Sequence, residues 1–280
     1  MKLLGLNALK SRWRVPIKCA LLALTVLLVC FPNPRRLIRH LKHYRNPGAL
    51  IEPDAKSIEP WVQELAPKLS DEVEPREALK RVERFVYHKV PYEWDWNTWG
   101  TADYLPTVDE VVEMGKEDCD GRAVVAASLL RRFGFKADLV NDLAHVWVRT
   151  EHGDTMSPGK KPVAVTTDDG VDIDWSALTQ LPRAAAFGVA VFPLGRELVI
   201  LGIAWLLLLP KHGKATFGIV GLILLIGGLI LLRAGSNDYL HPSGLAQTAA
   251  LVLLVSGAVS AMVRIPSVGG VNPIDVLKKP

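Results

Sequence analysis

Four strongly apolar blocks run through this sequence, and they restrict how the chain can fold. They cover residues 19–31, 198–210, 217–232 and 245–263. A bilayer core about 30 Å thick needs roughly 20 helical residues to cross it. The last block reaches that length without a charge, and 217–232 reaches it with its flanking residues. Three such blocks in succession leave little polar surface, so the sequence predicts membrane helices rather than a buried hairpin of a soluble protein.

The block 198–210 is short for a span. A second apolar stretch, 187–194, precedes it, with Arg196 and Glu197 between the two. These charges could pair with each other or lie at the lipid headgroups. The region is therefore either one long tilted span or a re-entrant segment followed by a span.

The first apolar block, 19–31, follows four basic residues and is read as a membrane anchor. A cleaved signal peptide would look similar, but Pro32-Asn33-Pro34 follows instead of a small-x-small cleavage site. The sequence predicts an uncleaved anchor. The next segment, 35–44, is rich in basic residues interspersed with apolar ones. It is typical of an amphipathic helix lying at a membrane surface.

Charge separates the chain into an acidic middle and basic flanks. Between positions 52 and 174 lie 26 acidic and 15 basic side chains, a formal −11, and the remainder carries +15. The bases surround the apolar blocks and are not concentrated on the acidic region, which argues against a nucleic-acid partner. Bases at 211, 214 and after the last block favour the cytoplasmic side for those segments. The lipid bilayer is thus a predicted partner, and the acidic domain is predicted to be extracytoplasmic.

Together these features predict five parts. They are an N-terminal anchor (1–34), an interfacial basic linker (35–55), a soluble domain (56–182), a membrane region of about three helices (183–265) and a tail (266–280).

Within the soluble part, residues 59–69 and 75–90 have the apolar spacing of helices, and Pro91 ends the second. A loop with three tryptophans follows, Trp94, Trp96 and Trp99. Tryptophans in such a loop are usually packing residues, but a loop interrupted by proline and glycine could also form the wall of a peptide-binding groove. Thr107 and Glu110 form a capping-box pattern for a short helix that ends at Met114.

Cys119 is the most informative single residue. The chain has three cysteines, and Cys119 is the one outside the apolar blocks. Asp118 is a suitable N-cap, which places Cys119 in the first turn of a helix that ends near Gly134. A helix N-terminus and a nearby imidazolium would lower the pKa of the thiol, whereas Asp118 and Asp120 would raise it. A buried cysteine with a packing role is the alternative.

Two strands are predicted after this helix, at 136–140 and 144–150, from their alternating pattern. His145, Trp147 and Arg149 share one face of the second strand. A turn at 151–153 leads to a return strand at 154–157. A thiol at a helix start and a histidine on an adjacent strand can supply a nucleophile and its base from two packed elements.

The order of these elements resembles the transglutaminase-like superfamily, a group of papain-like cysteine enzymes. The resemblance covers about residues 75–160 and includes the 107–114 helix, the Cys119 helix with its Ala-rich body and Leu-Leu-Arg-Arg-Phe-Gly ending, and His145-Val-Trp147-Val. It implies an α+β fold in which the cysteine helix packs on an antiparallel sheet, here joined to transmembrane helices. It also implies that Cys119 attacks an acyl carbonyl while His145 transfers the proton. A thioester is then released to water, as in a cysteine protease or other hydrolase, or to an amine.

The family's third residue, an Asp before Pro on the strand after the histidine, is replaced by Ser157-Pro158. Ser157 could accept a hydrogen bond but carries no charge. Asp154 is the nearest acid, yet a turn at 151–153 puts it more than about 10 Å along the hairpin from His145. Asp138 and Asp142 are other candidates to orient the imidazole.

No cluster of metal ligands and no glycine-rich phosphate loop is recognisable, so the sequence predicts neither a metal nor another cofactor. The acidic run 168–174 lacks the spacing of a calcium loop and is read as a solvated linker. Three functions remain open. They are a membrane-anchored cysteine enzyme acting on a peptide or protein, a catalytically silent domain that binds peptide or cell-envelope material, and an assembly module for a membrane complex.

Overall fold

A computed structural model describes residues 11–69, 72–167, 170–210 and 214–263. The chain divides into two compact units. One contains Val26–Arg196 and Ser236–Pro242, and the other contains the described parts of 1–25, 197–235 and 243–280. The predicted tail, 266–280, lies outside the described residues.

The first unit has an α+β fold, as predicted. Its main helices are α2 (Pro34–Arg45), α3 (Glu59–Leu65), α4 (Pro75–Lys89), α5 (Asp95–Thr98), α6 (Val108–Met114), α7 (Cys119–Arg132) and α8 (Leu181–Val191). The strands are β1 (Ala137–Asn141), β2 (Val146–Thr150), β3 (Gly153–Thr155), β4 (Ala164–Thr167) and β5 (Gly170–Ile173). They form an antiparallel sheet in the order β3-β2-β1-β4-β5.

Helix α7 packs against β1 and β2 and lies at the centre of the core. Its Ala-rich body is fully buried, as the short side chains allow the helix to approach the sheet closely. Gly121 is required for this packing, because a Cβ there would come within 2.1 Å of Glu117 Cγ. The first turn of α7 is therefore held tightly against the residue that precedes its N-cap.

The local predictions around the cysteine are confirmed. Thr107 and Glu110 form the capping box of α6, and Asp118 caps α7, its carboxylate accepting the N–H of Asp120. Gly134 adopts φ +86°, which glycine permits, and α7 ends at Arg132. His145 differs slightly from its prediction, because β2 begins at Val146 and the histidine lies in the loop before it.

The predicted basic linker contributes to the first unit. Helix α2 is capped by Asn33, and the Leu105 N–H donates to Nδ1 of His40 on this helix at 3.2 Å. Leu50 and Ile51, which follow α2, lie in the hydrophobic core. Contacts of α2 with the loop before α6 thus hold the segment on the domain; its predicted contact with a membrane surface stays a prediction.

Within the part of the chain that the structure describes, three helices are long and apolar enough to cross a membrane: α1 (Ser11–Cys30), α10 (Ala215–Ser236) and α11 (Gly244–Met262). A fourth span is possible if the bent pair formed by residues 175–191 and α9 (Leu194–Leu208), which meet at 111°, is counted as one. These helices suggest an integral membrane protein. In the second unit, Glu197 forms an ion pair with Arg233 of α10, so Glu197 pairs with another helix rather than with Arg196.

Candidate active site

Cys119 begins α7, and the backbone N–H of Val146 lies close enough to its sulfur to lower the pKa of the thiol. Val146 is the first residue of β2, so the thiol lies beside the start of that strand. The adjacent residue in the chain is His145. Helix α7 and the β1–β2 loop therefore bring the two predicted catalytic residues into one region of the domain.

The β1–β2 loop is organised by Asp142, whose side chain is fully buried. Its Oδ1 accepts the N–H groups of Ala144 at 3.2 Å and His145 at 2.9 Å, and its own N–H donates to the His145 carbonyl at 3.1 Å. Leu143 adopts φ +78° within this turn, a conformation that side chains with a Cβ rarely take. Asp142 thus fixes the backbone of His145. Among the hydrogen bonds of the described residues, none joins the His145 ring to the sulfur, and the Cys–His pair stays a prediction.

The surroundings of Cys119 favour the neutral thiol. Burial raises its pKa well above the usual range, and the negative charge of Asp118 adds to the shift. The Val146 N–H opposes both by stabilising the thiolate. Burial and the charge of Asp118 therefore outweigh the effect of the Val146 N–H on the thiol pKa.

Four acidic residues surround the start of α7, and the sequence did not identify them as one cluster. Each offers an oxygen within 4.8 Å of the others, and they are Asp95, Glu117, Asp118 and Asp120. Three are buried, and two oxygens, Asp95 Oδ1 and Glu117 Oε1, have no donor. Oxygens in this arrangement could hold a divalent cation. Protonation of a carboxyl is an alternative to a bound cation, because the Asp95 and Glu117 carboxyls lie within hydrogen-bond reach of each other.

The pKa values of this cluster are shifted towards the protonated forms. Burial and the charge of Asp118 raise the pKa of Asp95 and of Asp120 well above the usual range. Burial also raises the pKa of Glu117 to about 7, although hydrogen bonds from Asp95 and from the Trp99 indole limit the shift. Part of the negative charge around the thiol is therefore neutralised near neutral pH.

An aromatic row leads away from the thiol. Residues 91–93 run beside Glu117, with Tyr92 bridged to it, so Tyr92 lies close to Cys119. The Tyr92 ring meets Trp94 edge-on at 5.2 Å, and Trp94 stacks on Trp96 at 4.7 Å. Both tryptophans are partly exposed. The row can offer flat apolar surface to a bound chain, and the predicted substrate-binding role of Trp94 and Trp96 stays a prediction.

Trp99 lies apart from this row. Its side chain is buried, its ring packs on Tyr104 at 4.8 Å, and its indole N–H donates to Glu117 Oε2 at 2.8 Å. In the structure it supports the acidic cluster from within the core. The substrate contact predicted for Trp99, together with Trp94 and Trp96, stays a prediction.

The predicted third residue lies at an exposed turn. Strand β3 ends at Thr155, and Met156 takes φ +62°, so the chain leaves the sheet before it comes level with His145. Ser157 Oγ accepts the Gly159 N–H at 3.1 Å. Asp154 lies opposite Arg149 in the β2–β3 register and forms an ion pair with it, one residue away from the pairing with residue 150 that the hairpin argument expected. Its carboxylate also accepts the Trp147 indole N–H at 2.9 Å.

Further residues that lie beside the thiol were not predicted from the sequence. The Arg122 guanidinium lies between the rings of Tyr87 and Tyr92, at 4.9 and 5.0 Å from their centroids, and its Nε donates to the Val90 carbonyl. All three side chains are close enough to interact electrostatically with Cys119. The helical spacing of Cys119 and Arg122 was an available signal, because residues three apart share a helix face.

Residues 63–178 match the family model of the transglutaminase-like superfamily. This part of the chain is a transglutaminase-like domain, which confirms the resemblance seen in the sequence. The chain thus combines such a domain with helices that suggest membrane association. No curated protein matches it.

Proposed function

We propose that the chain is a membrane-anchored cysteine enzyme that cleaves or transfers an amide through a thioester on Cys119, with His145 as general base and acid. The observation that carries the proposal is the position of the Val146 N–H, which lies close enough to the Cys119 sulfur to lower the pKa of the thiol, since Val146 is the residue after His145. The transglutaminase-like domain is compatible with this chemistry.

In the proposed reaction, the His145 ring takes the thiol proton as the sulfur attacks the amide carbonyl carbon. The carbonyl oxygen becomes an oxyanion, and the Cys119 N–H at the start of α7 is available to stabilise it. The C–N bond breaks as the imidazolium returns the proton to the amine. His145 then takes a proton from water or from a second amine as it attacks the thioester carbon, the C–S bond breaks, and the proton passes to the Cys119 sulfur to restore the thiol.

The resting thiol is neutral in this scheme, because burial and Asp118 raise its pKa. His145 must therefore remove the proton during the attack rather than hold a preformed ion pair. The protonated forms of Asp95, Glu117 and Asp120 assist, since they reduce the negative charge that a thiolate would face.

The proposed substrate is a peptide or protein segment. Tyr92, Trp94 and Trp96 provide a partly exposed aromatic surface that begins near the thiol. A peptide lying on these rings would bring a carbonyl to Cys119. Ser157 occupies the position of the family's third catalytic residue. It enters the proposal only as a residue to be tested, because its hydroxyl accepts a hydrogen bond from the Gly159 N–H.

We place the domain outside the cytoplasm. Lys214 lies at the start of α10, and further bases occur in the sequence at 211, 264, 278 and 279. Basic residues beside spans favour the cytoplasmic side. The opposite ends of α10 and α11, and the acidic domain, would then be extracytoplasmic.

An acetylation assay with p-nitrophenyl acetate tests the proposal on the full chain with Cys19 and Cys30 replaced by Ala. We expect an acetyl thioester on Cys119, detected by mass spectrometry, and its loss in Cys119→Ala. His145→Ala should slow acetylation by about 100-fold or more. His152→Ala is the matched control, since this histidine lies in the exposed turn between β2 and β3. An equal rate in His145→Ala and the parent protein would refute the role of His145.

The alternative function is a catalytically silent domain that binds peptide. The raised pKa of Cys119 and the exposed turn at Ser157 favour it. In that case Cys119→Ala would keep full biological activity while replacement of Trp94 and Trp96 by Ala would abolish it.

A further inference from the structure

The short loop between the apolar helices α10 and α11 contacts the transglutaminase-like domain beside His145. Tyr239 in this loop donates its phenol O–H to Asp142 Oδ2 at 2.8 Å. The other oxygen of the same carboxylate holds the N–H groups of Ala144 and His145. One buried side chain therefore connects the loop to the backbone of the proposed base.

Other contacts fix Tyr239 in place. Arg183 Nε donates to the Tyr239 carbonyl at 2.9 Å, and Nη2 donates to the Leu240 carbonyl at 2.5 Å. The guanidinium carbon lies 5.4 Å from the centroid of the tyrosine ring, and Phe187 packs on the same ring at 5.2 Å. Asp238 accepts the N–H groups of Leu240 and His241. The loop has a defined conformation that directs Tyr239 towards Asp142.

We propose that Tyr239 is a positioning residue for His145 and that the α10–α11 loop thereby forms part of the active site. Asp142 is fully buried, so its Oδ2 has no solvent to replace the phenol. Without that donor, the carboxylate is free to reorient, and it would release the two N–H groups that define the turn around Leu143. This inference rests on the proposed function for the role of His145, but the contact itself does not.

The same contact has a consequence for membrane topology. A loop that docks on the domain lies on the domain's side of the membrane. If α10 and α11 are spans, Lys214 and the end of α11 lie on the other side. This agrees with the side that the basic residues favour.

Amide hydrogen exchange tests the positioning role without relying on catalysis. In the full chain carrying Cys119→Ala, Tyr239→Phe removes only the hydroxyl. We expect exchange at Ala144 and His145 to rise by about tenfold, while exchange within α7 stays unchanged. Asn237→Ala, an exposed change in the same loop, is the control and should change neither. Unchanged exchange at Ala144 and His145 in Tyr239→Phe would overturn the proposal.

Kinetics then separate this inference from the proposed function. With Cys119 present, Tyr239→Phe should lower kcat for p-nitrophenyl acetate with little change in KM, and Asp142→Asn should remove most of any further effect of Tyr239→Phe. If the parent protein is never acetylated but exchange still rises, the proposed function fails and the positioning contact stands. If acetylation occurs and Tyr239→Phe leaves both kcat and exchange unchanged, the function stands and the positioning role fails.

A labelling experiment tests the topology. Single cysteines at 151, 237 and 214 are introduced into a chain without its three natural cysteines, and sealed vesicles are treated with a membrane-impermeant maleimide. Glu151→Cys and Asn237→Cys should be labelled from the same side, and Lys214→Cys from the other. Labelling of positions 151 and 237 from opposite sides would overturn the docking of the loop.

Discussion

The N–H of Val146 lies close enough to the sulfur of Cys119 to lower the pKa of the thiol, and this proximity relates the first residue of β2 to the first residue of α7. This relationship involves the backbone of Val146 and does not depend on the His145 imidazole. It also limits how far the thiol pKa rises, since an N–H donor stabilises a thiolate more than a thiol. Substitutions of nearby charges should therefore be visible in the reactivity of Cys119.

Asp118→Asn should make Cys119 more reactive. Asparagine caps a helix about as well as aspartate does, so α7 is retained while the charge that raises the thiol pKa is removed. We expect the midpoint of the pH profile for alkylation by iodoacetamide to move to lower pH, and the rate near neutral pH to rise about tenfold. Asp109→Asn, an exposed change on α6, should leave the profile as it is. A midpoint that stays in place would contradict the electrostatic role of Asp118.

Glu117→Gln should change how stability depends on pH. The pKa of Glu117 is raised from 4.5 to about 7 in the folded state, so the folded protein binds this proton more tightly than the unfolded chain does. Its contribution to the free energy of unfolding is fully present below pH 4.5 and is lost as the pH rises through about 7.

Glutamine has nearly the same shape as the glutamate side chain but does not titrate. The loss of stability across this window should therefore be smaller in Glu117→Gln, by about 3 kcal/mol at most. Thermal unfolding at pH values on either side of the window measures it. Glu113→Gln, an exposed residue on α6, should keep the parent slope. An identical slope in Glu117→Gln would show that the proton is held elsewhere.

Gly121→Ala should destabilise the first turn of α7. The added Cβ would lie 2.1 Å from Glu117 Cγ and 2.9 Å from both Pro106 Cγ and Val111 Cγ2. Overpacking of this kind costs about 3 kcal/mol, and the melting temperature should fall. Gly188→Ala in α8 is the control, because its Cβ meets nothing within 4 Å. A melting temperature equal to that of the parent would mean that α7 can shift away from Glu117.

Arg233→Met should weaken the packing of the apolar helices. Glu197 is only 7% exposed and forms an ion pair with Arg233. Removal of one partner of a buried pair costs about 3–5 kcal/mol, whereas replacement of both by neutral side chains is often tolerated. The double variant Glu197→Gln, Arg233→Met should recover much of the thermal stability in detergent. If Arg233→Met is as stable as the parent protein, the ion pair contributes nothing to thermal stability.

The features that could be predicted from the sequence are those that depend on local residue patterns. The capping box at Thr107, the Asp118 cap and the position of Cys119 follow from short-range rules and are confirmed. The acidic cluster could not be predicted in this way, because Asp95 is far from Glu117 in sequence and the two are brought together by the pairing of residues 91–93 with Glu117. That pairing depends on tertiary packing, so the spacing of apolar residues along the sequence does not indicate it.

The role of Asp142 was only partly accessible. It was a candidate to orient the imidazole, and the structure instead shows its carboxylate holding the His145 backbone. Its contact with Tyr239 joins residues 97 positions apart, and it depends on how the loop between α10 and α11 folds back. Among the three tryptophans predicted to contact substrate, Trp99 is buried whereas Trp94 and Trp96 are partly exposed, a difference that their closeness in sequence did not indicate.

Helix α7, strand β1 and the turn that follows form one uninterrupted stretch of chain, from the Asp118 cap to Val146. Both ends of that stretch meet at the sulfur. The contact is local in sequence compared with pairings between distant parts of the chain, so its entropic cost is modest and assembly should be fast. The reacting groups would then come into register during formation of a single helix–hairpin unit, before the distant ends of the sheet have joined.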